Sequence, residues 1–237
     1  MNEGAQSRSS VDANRRWFAE NASYAEGIAR LETYRTIRAA IDEQITGVGR
    51  LLDIGNGGVF DYDTSRAREI VAVDLFLDEA PPESGPPNVT FRRGDALALD
   101  ESDASYDAVL VALVLHHLVG ERTGDLVPNL RRAIAEAHRV LRPGGRLIVV
   151  ESCVPTWFHA VERVMFRPLT LLAGTPLLSH PATMQLPARQ IGALMAERFV
   201  PVQGRELPVG RWILQFGRRW PSALTPARPW MLTGSRS

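Results

Sequence analysis

The sequence has no lysine: all 27 of its basic residues are arginine, and 27 acidic residues balance them to a formal net charge of zero. Without a global basic field the chain is not expected to hold a nucleic-acid backbone, so a small, mostly neutral ligand is the default partner. Cysteine is nearly absent too. The single thiol, Cys153, excludes an intramolecular disulfide framework and points to a reducing compartment. No apolar run approaches the ~18 residues that span a bilayer, and the polar opening MNEGAQSRSS has no signal-peptide core. No membrane partner is expected, and the expected location is cytoplasmic.

What is present is periodic. At 237 residues the chain has room for one α/β domain with a sizeable core, here expected over 11–237 after a disordered stretch at 1–10. Between residues 11 and 48, Trp17, Tyr24, Ile28, Leu31, Tyr34, Ile37, Ile41 and Ile45 recur at helical spacing, predicting helices whose aromatic stripe packs on a sheet or closes a site. The run LLDIGNGG then ends on Asp53 and breaks into Gly55, Asn56, Gly57 and Gly58, a strand followed by a turn that a ligand can approach closely. About twenty residues on, EIVAVD ends in Asp74, followed by Leu75. VTFRR predicts a third strand before GDALAL, which contains Asp95 and Ala96. DAVLVALVLHHL is apolar without alternation, as a strand covered on both faces must be, and runs through Ala112 to His116 and His117. A helix with Leu126, Leu130, Ile134 and Ala137 on one face leads into LRPGGRLIVVES, whose strand closes on Glu151 and Ser152.

In this order and spacing the motifs from about residue 50 to 152 resemble the class I S-adenosylmethionine-dependent methyltransferases. The resemblance implies a Rossmann-like, doubly wound α/β fold: a seven-stranded sheet, mostly parallel with an antiparallel last strand, N-terminal lid helices over 11–48, and a substrate cap at 153–200 inserted after strand five. It implies S-adenosyl-L-methionine as cofactor and S-adenosyl-L-homocysteine as product. Asp53, Gly55, Asn56 and Gly57 would line the cofactor turn, Asp74 and Leu75 the ribose, Asp95 and Ala96 the adenine, and Ala112 the end of strand four. Asp95 has a plainer reading as a turn cap. Two departures stand out. Val59 occupies the last glycine position of the family's turn, and only about ten residues, VFDYDTSRAR, separate that turn from strand two, room for little more than two helical turns.

In that family the end of strand four lies beside the transferable methyl group, which makes His116 or His117 a candidate base and Glu151 its orienting carboxylate, or else a helix cap. Adjacent histidines with no clustered carboxylates or cysteines do not make a metal site, so no metal is expected. Trp17, Tyr24, Trp157 and His180 are the candidates for acceptor contact, and the apolar cap suits a bulky apolar ligand. Within the cap Val161, Val164, Met165 and Leu169 form a helical stripe expected to be core. VPVQGRELPVGRWILQFGRR reads as strands six and seven, with PWML packing on the sheet or finishing a short strand.

The favoured activity is O-methylation of a small secondary metabolite. N- or C-methylation, a cofactor-retaining cyclase or rearrangement, and a non-catalytic partner role are the alternatives, and a homodimer is left open. The absent Gly-x-Gly-x-x-Gly spacing counts against a dehydrogenase.

Overall fold

A computed structural model describes residues 31–77, 85–119, 124–172, 183–215 and 218–237. The expected disorder at 1–10, the lid up to residue 30 with Trp17 and Tyr24, and the cap stretch 173–182 with His180 lie outside the described residues.

Helix α1 (Glu32–Ile45) precedes β1 (Val48–Ile54), β2 (Ala67–Asp74), β3 (Val89–Arg93) and β4 (Tyr106–Ala112). Then come α2 (Leu126–Val140), β5 (Leu141–Cys153), α3 (Thr156–Leu172), α4 (Ala188–Met195) and β6 (Val202–Glu206). The chain ends in a hairpin of β7 (Trp212–Gln215) and β8 (Arg218–Pro221), followed by β9 (Arg228–Ser235). The seven-stranded sheet runs β3-β2-β1-β4-β5-β9-β6, and only β9 is reversed. Strand order changes direction between β1 and β4, the switch point at whose carboxyl edge open α/β sheets bind ligands.

Both faces of the central strands are covered, which is why their sequences are apolar without alternation. Leu52, Val71, Val109 and Val149 share a core with Leu130 and Ile134 of α2 and Ile191 of α4. Leu51, Ile70, Leu110 and Ile148 share the opposite core with Ile37, Ile41 and Ile45 of α1. No helix among the described residues is long and apolar enough to cross a membrane.

Three expectations are corrected. The first crossover holds no α-helix: residues 55–66 contain one short 3-10 turn, Thr64–Arg66. Aromatic packing takes the helix's place, with Phe60 edge-on to Tyr62 at 5.5 Å and Tyr62 buried in the α1-side core. The antiparallel last strand is β9, which includes PWML, and not WILQ. β9 pairs eight residues with β5, from Arg146↔Ser235 to Cys153↔Arg228, a length the four residues of WILQ lack. WILQ folds back on β8 instead. Finally, Val161, Val164 and Met165 of α3 are exposed, while His159, Glu162 and Phe166 are buried. The polar pair faces inward because it has partners there, given below.

Candidate active site

The glycine turn follows β1 directly. Gly55, Gly57 and Gly58 all have positive φ, the left-handed region that glycine enters without penalty. Two of them are glycine for different reasons. A Cβ on Gly55 would lie 2.3 Å from Val114 Cγ2, so that position is closed by packing of the segment after β4. A Cβ on Gly57 would meet nothing within 4 Å, which leaves the backbone there open to a ligand. Val59 is 50% exposed and does not fill the turn.

Side chains brace the turn where a crossover helix would. Buried Asp53 Oδ2 accepts from Tyr62 Oη and from Asn56 Nδ2, each at 2.7 Å. Burial pushes the Asp53 carboxyl up to about 7, against the lowering effect of those two donors. Asn56 Nδ2 also donates to the Val59 carbonyl at 2.9 Å. Two acceptors on one nitrogen fix the orientation of the amide, and its Oδ1 is left buried with no hydrogen-bond partner. Asp74, at the end of β2, accepts from Gly57 N at 3.0 Å and from Phe76 N at 2.7 Å. Burial raises its pKa despite those contacts. Leu75 follows in the same half-buried turn.

Asp95 is exposed and caps its own turn, accepting from Leu97 N at 2.8 Å. Its neighbour Ala96 lines a small apolar cavity with Ile54, Val111, Val114 and Leu115. Ala112 ends β4 half-buried against the α1-side core. The next residue, Leu113, has a φ of 58°, backbone strain of the kind that clusters at functional sites.

That strained residue opens the 3-10 turn Leu115–His117, so the histidines stand on a turn and not on the strand itself. His116 Nδ1 lies 2.7 Å from Glu151 Oε1, and its backbone amide donates to Glu151 Oε2 at 3.3 Å. Glu151 also accepts from Ser152 N at 2.7 Å and is 1% exposed. The ring of His117 stacks on that of His116 with centroids 4.2 Å apart. Among the described residues no group of three potential ligands is placed to hold a metal ion.

The inward face of α3 meets this edge. His159 Nδ1 bonds the Gln185 carbonyl at 2.7 Å, and Glu162 Oε2 accepts from Gln185 N at 3.3 Å. The Gln185 side chain donates to Ser152 Oγ at 2.6 Å. Burial lowers the His159 pKa and pushes the Glu162 carboxyl up to about 8. Met184 N donates to the His116 carbonyl at 3.1 Å, so the returning cap segment is tied to the turn that carries the imidazole. Cys153 is buried, with its thiol pKa raised by that burial.

The structure therefore brings together Asp53, Gly55, Asn56, Gly57, Asp74, Ala112, His116, His117 and Glu151 along one carboxyl edge. Trp157 turns its side chain to solvent at 64% exposure, contrary to its expected place at the acceptor. Sequence reasoning missed Tyr62, Gln185, His159 and Glu162. An aromatic residue in a crossover too short for a helix was the available signal for the first, and nothing local marked the others.

Residues 52–149 match the family described as a methyltransferase domain. Over 113 residues the chain is 37% identical to a ubiquinone/menaquinone biosynthesis C-methyltransferase of Dinoroseobacter shibae, covering 43% of this chain and 42% of that protein. Over 141 residues it is 32% identical to a 27-O-demethylrifamycin SV methyltransferase of Amycolatopsis mediterranei, covering 55% and 47%. The matched regions thus span about half the length of these curated relatives. Among solved structures, a SAM-dependent methyltransferase of Thermotoga maritima, described as a possible histamine N-methyltransferase, superposes with a TM-score of 0.59. It shares 15% identity over 95% of this chain and 99% of its own, and supports the fold alone.

Proposed function

We infer, from the match of residues 52–149 to a methyltransferase domain and from their resemblance to the class I S-adenosylmethionine-dependent enzymes, that the chain methylates a small, largely apolar acceptor and that the favoured product is an O-methylated secondary metabolite. The observation that carries this reading is the 2.7 Å contact between His116 Nδ1 and Glu151. A carboxylate that accepts from Nδ1–H leaves Nε2 as the basic nitrogen. A positioned base is needed where the acceptor's proton is held tightly, as in a phenol or an alcohol, and much less for an amine.

When bound, S-adenosyl-L-methionine supplies a sulfonium-activated methyl group, so the chain's task is to position the acceptor and take its proton. The residues fit such a cofactor. Asp74, ordered by two backbone donors, has acceptor capacity left for ribose hydroxyls. The open side of Gly57 admits the ligand's backbone, and the orphaned Asn56 Oδ1 awaits a donor such as an ammonium. Ala96 and Asp95 would flank adenine, with Leu75 and Ala112 lining the site. His117 packs the base. Trp17, Tyr24 and His180 remain candidates for the acceptor side.

A ring carbon is the second acceptor atom we consider, on the name of the C-methyltransferase relative. The same His116–Glu151 pair would serve an acidic carbon. Incubation with methyl-labelled cofactor and a panel of phenols, quinols and amines, with products identified by mass spectrometry and NMR, tests the reading. Labelled O-methyl product supports it, and transfer confined to amines overturns it.

A further inference from the structure

Helix α3 is built inside out. Its buried face holds His159 and Glu162, and its outer face holds Trp157, Val161, Val164 and Met165 at 64%, 51%, 79% and 43% exposure. The only charged residue among the exposed positions between 156 and 166 is Arg163. The β7–β8 hairpin adjoins the first turn of this helix, since Ile213 shares a small core with Val154, Ala227 and Phe158. Trp157 stands edge-on to Phe158 at 5.5 Å, and Trp220 is the cross-strand partner of Ile213. Cross-strand partners share a face, so Trp220, 43% exposed, rises beside the same core as Trp157, while Trp212, one residue from Ile213 and also 43% exposed, points to the other face of the hairpin.

The charge of the chain is segregated in the same way. Its formal zero hides seventeen arginines against twenty-five acidic residues in 1–162, and ten arginines against two acidic residues in 163–237. Residues 163–196 and 207–237, which supply most of α3 and the whole hairpin, contain no acidic residue at all. Arg163 is exposed on α3 and Arg211 just before β7, with the exposed Glu32 of α1 beside Gly210.

We propose that the outer face of α3 and the neighbouring β7–β8 hairpin dock on an anionic lipid surface. Exposed tryptophans with an apolar body and a polar tip, aliphatic side chains on one helix face and flanking arginines are what a peripheral lipid interface requires. Arginine supplies the attraction to anionic headgroups. A second copy of the chain fits less well, because a self-contact of these segments would bring arginines together with no carboxylate from residues 163–196 or 207–237 to pair them. The binding is peripheral, and no helix needs to enter the bilayer core. α3 begins three residues beyond Cys153, so docking brings the strand that carries Glu151 close to the surface from which an apolar acceptor would enter.

The test is co-sedimentation of the full chain with vesicles of phosphatidylcholine alone and of phosphatidylcholine mixed with phosphatidylglycerol, alongside light scattering without lipid. It reads no methyl transfer, so its outcome is independent of the proposed activity. The expected result is binding to the mixed vesicles, weakened by salt, and reduced about tenfold or more by the double change Val161→Glu, Val164→Glu at positions that are already exposed. Circular dichroism of that variant should match the parent. Equal binding to both vesicle types, binding untouched by the double change, or no binding at all would each overturn the proposal. Self-association abolished by the double change, without lipid binding, would reassign the face to a second copy.

Discussion

Glu151 holds His116 at two points, accepting from its ring nitrogen at 2.7 Å and from its backbone amide at 3.3 Å. One buried carboxylate thus sets both the tautomer of the imidazole and the position of the turn that carries it. Replacing His116 with alanine is expected to lower turnover of a phenolic acceptor about 10²–10⁴-fold, the usual range for a positioned base, with little change in affinity for S-adenosylhomocysteine. Glu151→Gln should keep the fold and lower turnover, because an amide at this position no longer fixes which ring nitrogen of His116 faces the acceptor. Steady-state kinetics across pH on both variants checks this. An equal loss of turnover and cofactor affinity would make His116 a binding residue.

The glycine turn separates packing from ligand approach. Gly55→Ala places a methyl 2.3 Å from Val114 at a positive φ, and is expected to cost roughly 2–4 kcal/mol of stability by urea denaturation. Gly57→Ala meets open space and should cost only about 1 kcal/mol from its backbone. Its larger effect should fall on cofactor affinity. Equal stability losses would contradict the distinction.

Glu162 makes stability depend on pH. Its carboxyl is held at about 8 in the folded chain against an ordinary 4.5, so between those values the folded state binds the proton that the unfolded state has released. Its contribution to stability therefore falls as pH rises from about 4.5 to about 8. Buried Asp53, held at about 7, acts in the same direction from its ordinary 3.8 up to that value. Glu162→Gln keeps the acceptor for Gln185 N and cannot ionise. The variant should match the parent near pH 5 and exceed it near pH 8 by roughly 1–3 kcal/mol. Thermal melts across pH decide it, and identical slopes would mean that Glu162 ionises freely.

Much of this was legible in the chain. The apolar runs of β1 and β4 announced strands covered on both faces, and Asp53, Asp74 and Glu151 each ended a run, which put them at one edge of a parallel sheet. The exchange of WILQ for the strand containing PWML was not legible, because the choice depends on the length of β5, set some eighty residues earlier. Nor was the inversion of α3. Its helical period is real, but which stripe faces inward is decided by Gln185, whose backbone and side chain engage His159, Glu162 and Ser152 from the returning part of the cap. Tyr62 could be read only once the crossover was known to lack a helix.

The central claim is that the braced turn between Asp53 and Asp74 receives the adenosyl cofactor. A calorimetric titration of the full chain with S-adenosylhomocysteine tests it most directly. The account predicts micromolar binding that weakens by about 1–3 kcal/mol in Asp74→Ala through the loss of charge-assisted hydrogen bonds. No binding to the parent chain, or undiminished binding to Asp74→Ala, would contradict it.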